Sequence, residues 1–203
     1  MWAAVIPSRK NQKGVIKMMT NTENKKKIGT IEMAYIAIGA VLIAICSWIS
    51  IPVIVPFTLQ TFAVFLLIML LGGMKATISV AVYILVGAVG VPVFAGFGAG
   101  LGVLFGKTGG YIIGFLLMGP IFSLMTKLFG KKLLVQIIAL VTGLLVCYAF
   151  GTAWFMYIYM RDTGDVGLMT VLSWCVFPYI IPDVGKMTVS VLIARKFGGR
   201  IRR

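Results

Sequence analysis

Six apolar segments, each close to the length that crosses a bilayer, occupy nearly all of the chain after residue 32. They lie at about 33–51, 57–72, 76–92, 110–129, 133–159 and 167–194. A helix of roughly 20 apolar residues spans the hydrocarbon core of a membrane. Only 12% of the 203 residues are charged, whereas soluble domains usually carry about 25%. The sequence therefore predicts an all-α integral membrane protein with six transmembrane helices.

The positive charges are distributed unevenly among the segments that connect these helices. The chain has 19 Lys and Arg residues against 5 acidic residues. With six spans, nearly all basic residues fall on the side that holds both termini, whereas the opposite side receives only Lys107 and Arg161. Because basic residues accumulate in cytoplasmic loops, both termini are predicted to be cytoplasmic. Residues 1–29 then form a basic cytoplasmic tail that we expect to be disordered near anionic lipid, and residues 30–203 form the membrane domain.

A long glycine-rich stretch, AGFGAGLGVLFGKTGG at 95–110, connects the third and fourth spans. Its Gly-Lys-Thr matches the end of a phosphate-binding loop, but Leu101 stands where that loop requires a glycine. On the predicted topology the stretch is also external, where no ATP is available. Because glycine lets a backbone approach a ligand closely, we expect a lid over a binding site. A re-entrant plug without a ligand is the alternative.

The sixth span, FPYIIPDVGKMTVSVLIA at 177–194, carries the strongest local signal. Asp183 and Lys186 lie three residues apart, and therefore on one helical face, after two prolines that loosen the helix. A charge near the middle of a membrane costs roughly 2.5–3.5 kcal/mol on insertion scales, which makes this pair a candidate binding site. A structural ion pair is the alternative. Gln60, at the start of the second span, either caps its helix or points its amide into a cavity.

Other residue types exclude whole classes of function. The chain has no histidine, which removes serine-type triads and the common zinc sites. Cys46, Cys147 and Cys175 lie within apolar runs without metal-ligand or redox spacing, so we interpret them as small hydrophobic residues. We therefore predict no catalytic residues and no metal site, and the placement of the basic residues at one side of the apolar spans predicts no nucleic-acid partner. Ala40 and Ala44 in the first span have the spacing of a close helix crossing, either with the chain's own helices or with a partner protein.

In these features the sequence resembles the BioY family, the biotin-binding S components of energy-coupling-factor (ECF) vitamin transporters. The resemblance covers residues 30–196 and is carried by VPFTLQTFAV at 55–64, GVPVFAGFGAGLGVLFGKTGGYIIGF at 90–115, GTAWF at 151–155 and PDVGK at 182–186. The glycine-rich stretch and the Pro-Asp-x-x-Lys sequence are the specific parts. The long basic tail departs from the family pattern.

The resemblance implies a six-helix subunit that captures biotin near the outer face of the plasma membrane, without a cofactor. It also implies a membrane coupling protein and two cytoplasmic ATPase subunits as partners, with Ala40 and Ala44 as the docking positions for the coupling protein. Biotin has a ureido group, an apolar sulfur-containing ring and a carboxylate chain. The substrate-binding residues expected by resemblance are Gln60, Phe94, Gly96, Gly109, Tyr111, Trp154, Asp183 and Lys186.

Two questions stay open at this point. Lys186 either neutralises the biotin carboxylate or holds Asp183 ionised while Asp183 accepts the ureido N–H groups. The alternative to an ECF subunit is a stand-alone ion-coupled carrier for a vitamin-like solute, in which Asp183 is protonated and released in each cycle. Against that alternative, the first three spans contain no counterpart of the Pro-Asp-x-x-Lys sequence, so no inverted repeat is visible.

Overall fold

The computed structural model describes residues 29–201, with side chains described for residues 29–198. The chain divides into two units, Met1–Met33 and Ala34–Arg203. Within the first unit, the described residues are Gly29 and the first turn of the first helix, residues 30–33. Residues 1–28 of the predicted basic tail lie outside the described residues, so the prediction of disorder stays a prediction.

The second unit is built almost entirely from helices. In chain order the elements are α1 (Thr30–Trp48), β1 (Ser50–Ile51), β2 (Phe57–Thr58), α2 (Gln60–Leu71), α3 (Gly73–Ala88), a 3-10 turn (Ala95–Phe97), α4 (Leu101–Leu104), α5 (Gly109–Phe129), α6 (Leu133–Asp162), α7 (Leu168–Cys175) and α8 (Phe177–Ile201). In the described part, four segments are long and apolar enough to cross a membrane: α1, α5, α6 and Leu168–Gly198. The helices α2 and α3 are apolar but shorter. A helical membrane fold is confirmed, and the count of six spans stays a prediction.

A short hairpin replaces the end of the first span, which the apolar run predicts to reach about residue 51. β1 and β2 pair antiparallel, with Ser50 opposite Thr58 and Ile51 opposite Phe57. The sequence between them contains Pro52 and Pro56, which lack the backbone N–H that a helix requires. The hairpin ends directly before α2, so the backbone carbonyl of Thr58 lies beside the helix bundle.

Close helix crossings depend on glycine at the contacts of α5. Gly119 of α5 lies so near α3 that a Cβ there would collide with the hydroxyl of Thr77 and the carbonyl of Gly73. On the other side of α5, a Cβ on Gly151 of α6 would collide with the ring of Tyr111. Small residues allow such approach in membranes, where apolar burial alone does not drive helices together. These crossings hold α3, α5 and α6 around a common core.

The predicted sixth span is not one continuous helix. It consists of α7 and α8, separated at Val176, whose backbone angles of φ −126° and ψ −57° are not helical. The break comes two residues before Pro178, whose ring would clash with the carbonyl of Trp174 in an unbroken helix. Pro182, by contrast, lies inside α8. The break sets the start of α8, and thereby the level at which Asp183 and Lys186 enter the bundle.

Candidate ligand-binding site

A cavity lies among α2, α5, α6 and α8, at the end of the bundle that carries the hairpin and the glycine-rich stretch. The space inside it, including its opening to solvent, is about 760 Å³. The polar residues that line it include Thr58, Gln60, Thr61, Tyr148, Asp183 and Lys186. Its apolar wall includes Ile112, Phe115 and Leu144. Small-molecule sites combine an apolar wall with a few converging polar groups in the same way.

Asp183 is the centre of the polar side. It is only 2% exposed, and its Oδ1 accepts from Lys186 Nζ at 2.8 Å and from the Thr61 hydroxyl at 2.8 Å. Its Oδ2 accepts from the Tyr148 hydroxyl at 2.5 Å. A buried charge is tolerated when it is paired and hydrogen-bonded, and these three donors supply both conditions. The carboxylate is thus held in a fixed orientation at the cavity wall.

Lys186 has an acceptor for each of its three ammonium hydrogens. Besides Asp183, its Nζ lies 2.7 Å from the carbonyl oxygen of Thr58 and 3.1 Å from the hydroxyl oxygen of Thr61. It also lies 4.2 Å from the ring centroid of Phe57. Because an ammonium group has three donors, a ligand carboxylate would have to replace one of these acceptors. The geometry therefore favours the second role left open by the sequence, in which Lys186 supports Asp183.

Gln60, the first residue of α2, lines the cavity but is bonded at both ends of its amide. Its Nε2 donates to the hydroxyl of Tyr83 at 2.7 Å, and its Oε1 accepts from the hydroxyl of Thr58 at 3.1 Å. The amide is buried, so these bonds replace its lost hydration. Gln60 therefore links α2 to α3 and the hairpin while it faces the cavity.

Tyr111 of α5 also lines the cavity, and its hydroxyl lies 3.1 Å from the hydroxyl of Thr152. Phe94, in contrast, is not among the lining residues. It is 0% exposed, and its ring meets the ring of Tyr83 edge-on with centroids 5.5 Å apart. A Cβ on Gly87 would collide with that ring, so Phe94 fills a space inside the bundle. Phe94 was predicted to contact the ligand, but in this structure its side chain does not line the cavity.

The glycine-rich stretch forms part of the cavity wall through residues other than the predicted glycines. Ala95, Val103 and Thr108 line the cavity, whereas Gly96 and Gly109 are not among the lining residues. Gly96 has φ +64°, a conformation that favours glycine. Gly109 lies against the backbone of Leu104, where a Cβ would collide with the carbonyl. Both glycines therefore shape the stretch rather than line the cavity.

Trp154 of α6 also lies outside the cavity lining, and it binds the glycine-rich stretch through a hydrogen bond. Its indole Nε1 donates to the carbonyl of Gly106 at 3.0 Å. A Cβ on Gly110 would collide with the Trp154 side chain, so the two are in close contact. The Gly-Lys-Thr sequence that resembled a phosphate loop is thus the segment that α6 holds in place.

Sequence reasoning missed several cavity residues. Tyr148 lines the cavity but was not predicted as a site residue. A tyrosine in the middle of the apolar α6, away from the aromatic residues near the end of that helix, is the pattern that could have indicated it. Cys147 and Cys175 were interpreted only as small hydrophobic residues, yet both line the cavity. Within residues 29–201 no group of three or more His, Cys, Asp or Glu residues is placed to hold a metal ion.

The small-residue positions of α1 face the chain's own core. Ala40 and Ala44 are each 7% exposed and belong to the main cluster of buried apolar residues. The exposed side of α1 instead carries Ala37, Val41 and Ile45. The packing supports the alternative in which Ala40 and Ala44 serve internal helix contacts, and their docking role stays a prediction.

The chain is similar to known membrane proteins over most of its length. The profile of the BioY family matches residues 18–203. The biotin transporter BioY of Thermotoga maritima is 40% identical over 155 residues, which cover 75% of this chain and 87% of that protein. The probable biotin transporter BioY of Pyrococcus horikoshii is 35% identical over 169 residues, covering 83% of this chain and 96% of that protein.

A solved structure has the same fold. It is the S-component for biotin from an ECF-type ABC transporter, with a TM-score of 0.73 and 24% identity, and the match covers 83% of this chain and 91% of that one. The apolar helices and the transporter relatives together identify a multi-pass protein of the plasma membrane. With a family profile that matches nearly the whole chain and relatives at 35–40% identity, this protein belongs to the BioY family.

Proposed function

We propose that this chain captures biotin in the cavity beside Asp183 and mediates its uptake as the substrate-specific subunit of an ECF-type transporter. The observation that carries the proposal is a buried Asp183–Lys186 ion pair in the wall of an otherwise largely apolar cavity, in a member of the BioY family. Biotin matches both halves of this cavity, because its ureido group is polar and its sulfur-containing ring is apolar.

The ureido group is assigned to Asp183. Oδ1 accepts two hydrogen bonds inside the protein, whereas Oδ2 accepts one, from Tyr148. A carboxylate oxygen has two lone-pair positions, so Oδ2 retains one for a ligand N–H. The ion pair with Lys186 orients Asp183, and a carboxylate is a stronger hydrogen-bond acceptor than a neutral group.

The ring of biotin is assigned to the apolar wall. Ile112, Phe115 and Leu144 line it, and Tyr111 adds an aromatic face. Gln60 lies at the polar edge. The glycine-rich stretch contacts the ligand through Ala95, Val103 and Thr108. Four residues that were expected at the ligand instead support this wall by packing or hydrogen bonding: Gly96, Gly109, Phe94 and Trp154.

The orientation and partners complete the proposal. Six spans with both termini in the cytoplasm place the cavity at the outer face, as the distribution of Lys and Arg predicts. The chain has no nucleotide loop, so ATP hydrolysis is assigned to two partner ATPase subunits, and force transmission to a membrane coupling protein. The exposed side of α1, with Ala37, Val41 and Ile45, is the side that a partner helix can reach without displacing the core.

The identity of the ligand is tested by purifying the chain without added vitamin and analysing the small molecules that copurify by mass spectrometry. The proposal predicts biotin in a stoichiometric amount. Recovery of another vitamin instead would contradict it.

The alternative, a stand-alone ion-coupled carrier, is tested separately in cells that depend on the chain for uptake. Uptake that follows cellular ATP when the proton gradient is collapsed supports an ECF subunit. Uptake that collapses with the gradient while ATP is maintained would favour the carrier.

A further inference from the structure

A second cavity lies at the opposite end of the bundle from the proposed biotin site. It opens where α2 is joined to α3 and where α5 is joined to α6, and the space inside it, including its opening, is about 840 Å³. α2 starts at the hairpin and α5 starts beside the glycine-rich stretch, so the far ends of both helices meet here. Nothing in the proposed biotin site uses this cavity.

Two lysines border this second cavity. Lys127, at the end of α5, and Lys131, in the turn to α6, are both exposed. Neither ammonium group has a hydrogen bond or ion pair with the residues that the structure describes. Two like charges beside one cavity repel each other unless an anion lies between them. The backbone at Lys131 is held in place, because Gln136 Nε2 donates to its carbonyl at 2.9 Å.

The rest of the wall is partly apolar. Leu71 and the buried Phe122 lie on it beside Gly72, Ser123 and Thr126. A cavity with cations at its mouth and apolar side chains behind them matches an amphiphilic anion better than a fully hydrated one. Basic pockets between membrane helices bind the head groups of anionic lipids in this way. The predicted topology also places this end at the cytoplasmic leaflet, where anionic lipids are concentrated.

We propose that Lys127 and Lys131 form a phosphate-binding site for the head group of an anionic phospholipid. The phosphate lies between the two ammonium groups, and the glycerol and the start of an acyl chain lie along Leu71 and Phe122. A soluble phosphate compound shares the charge but not the apolar part, so the two sources can be distinguished. The site is independent of the biotin proposal, because it uses none of the same residues.

The test uses the full chain purified in a neutral detergent. Native mass spectrometry measures lipid retention when phosphatidylglycerol or phosphatidylcholine is added at equal mole fraction. Phosphatidylglycerol should be retained preferentially, and the double variant K127Q/K131Q should weaken its retention roughly tenfold. K132Q is the matched control, because Lys132 is the neighbouring exposed lysine and is not among the cavity residues. It should change retention less than twofold.

Three outcomes decide the proposal. Equal retention of the two lipids, or an equal loss in K132Q and in the double variant, would overturn it, since only general surface charge would then be involved. Inorganic phosphate that raises the unfolding temperature as much as phosphatidylglycerol does, with the effect lost in K127Q/K131Q, would support a phosphate site but assign it to a soluble ligand. The unfolding temperature of every variant without added ligand, including the single variants K127Q and K131Q, checks that the fold is intact.

Discussion

Replacing Asp183 by Asn tests whether the buried pair is a binding site or only a structural element. The change keeps the shape of the side chain but removes its charge. It also leaves Lys186, which is 9% exposed, facing only the neutral oxygens of Thr58 and Thr61. The variant therefore has two separable consequences, one for ligand affinity and one for stability.

Both magnitudes follow from the contacts. A hydrogen bond to a charged group is worth about 1.5–3 kcal/mol, so loss of the charged acceptor should weaken biotin binding about tenfold to a hundredfold. Breaking a buried ion pair by removing one partner costs about 3–5 kcal/mol of stability. In the double variant Asp183→Asn, Lys186→Met neither charge is left unpaired, so most of the stability should return. Biotin binding should stay weak, because the charged acceptor is still missing.

The assay is isothermal titration calorimetry in detergent, with thermal unfolding of the same samples. Lys186→Met alone separates the two roles of the lysine. If it supports Asp183, biotin and a carboxyl-blocked biotin should weaken alike, whereas direct contact with the ligand carboxylate would weaken biotin more. Near-normal affinity in both single variants with sharply lowered stability would refute the site assignment and make the pair structural.

Three further predictions test the rest of the structure. Tyr148→Phe removes one donor to the carboxylate and should weaken biotin binding about tenfold by calorimetry; unchanged affinity would exclude a positioning role. Gly119→Ala should lower stability by about 1–3 kcal/mol in thermal unfolding, because the methyl group collides with backbone, whereas Gly102→Ala, with nothing within 4 Å, should not. Ala44→Trp should destabilise the chain, and Ala37→Trp should leave stability unchanged but reduce pull-down of the coupling protein; the reverse pattern would restore the docking role of the buried alanine.

The features that the sequence predicted correctly are those with local causes. Asp183 and Lys186 are three residues apart on a helix, and the spacing alone brings their charges together; the structure pairs them at 2.8 Å. The helical membrane character follows from long apolar runs, which have no other stable arrangement in a bilayer. The hairpin and the break before α8 were not predicted, although prolines lie at or next to both places, because the exact residue of each break depends on packing.

The remaining features depend on contacts between distant parts of the chain. Thr61 reaches Asp183 across 122 positions and Tyr148 across 35, and no local pattern indicates either contact. Phe94 was expected at the ligand because it is aromatic and adjacent to the glycine-rich stretch. Helix packing decides whether such a ring faces a cavity or fills the space beside Gly87, and the residue type alone does not indicate which. The same holds for Ala44, whose spacing suits internal and external crossings equally.

The most direct test of the proposed function is calorimetric titration of the isolated full chain with biotin, in the absence of ATP and of any partner subunit. The proposed site predicts saturable binding with one biotin per chain and a dissociation constant in the nanomolar range, since Asp183, Tyr148 and the apolar wall all belong to this one chain. Titration with riboflavin or thiamine should give no binding heat. Binding of either of these vitamins with none for biotin would contradict the proposed function while leaving the fold unchanged.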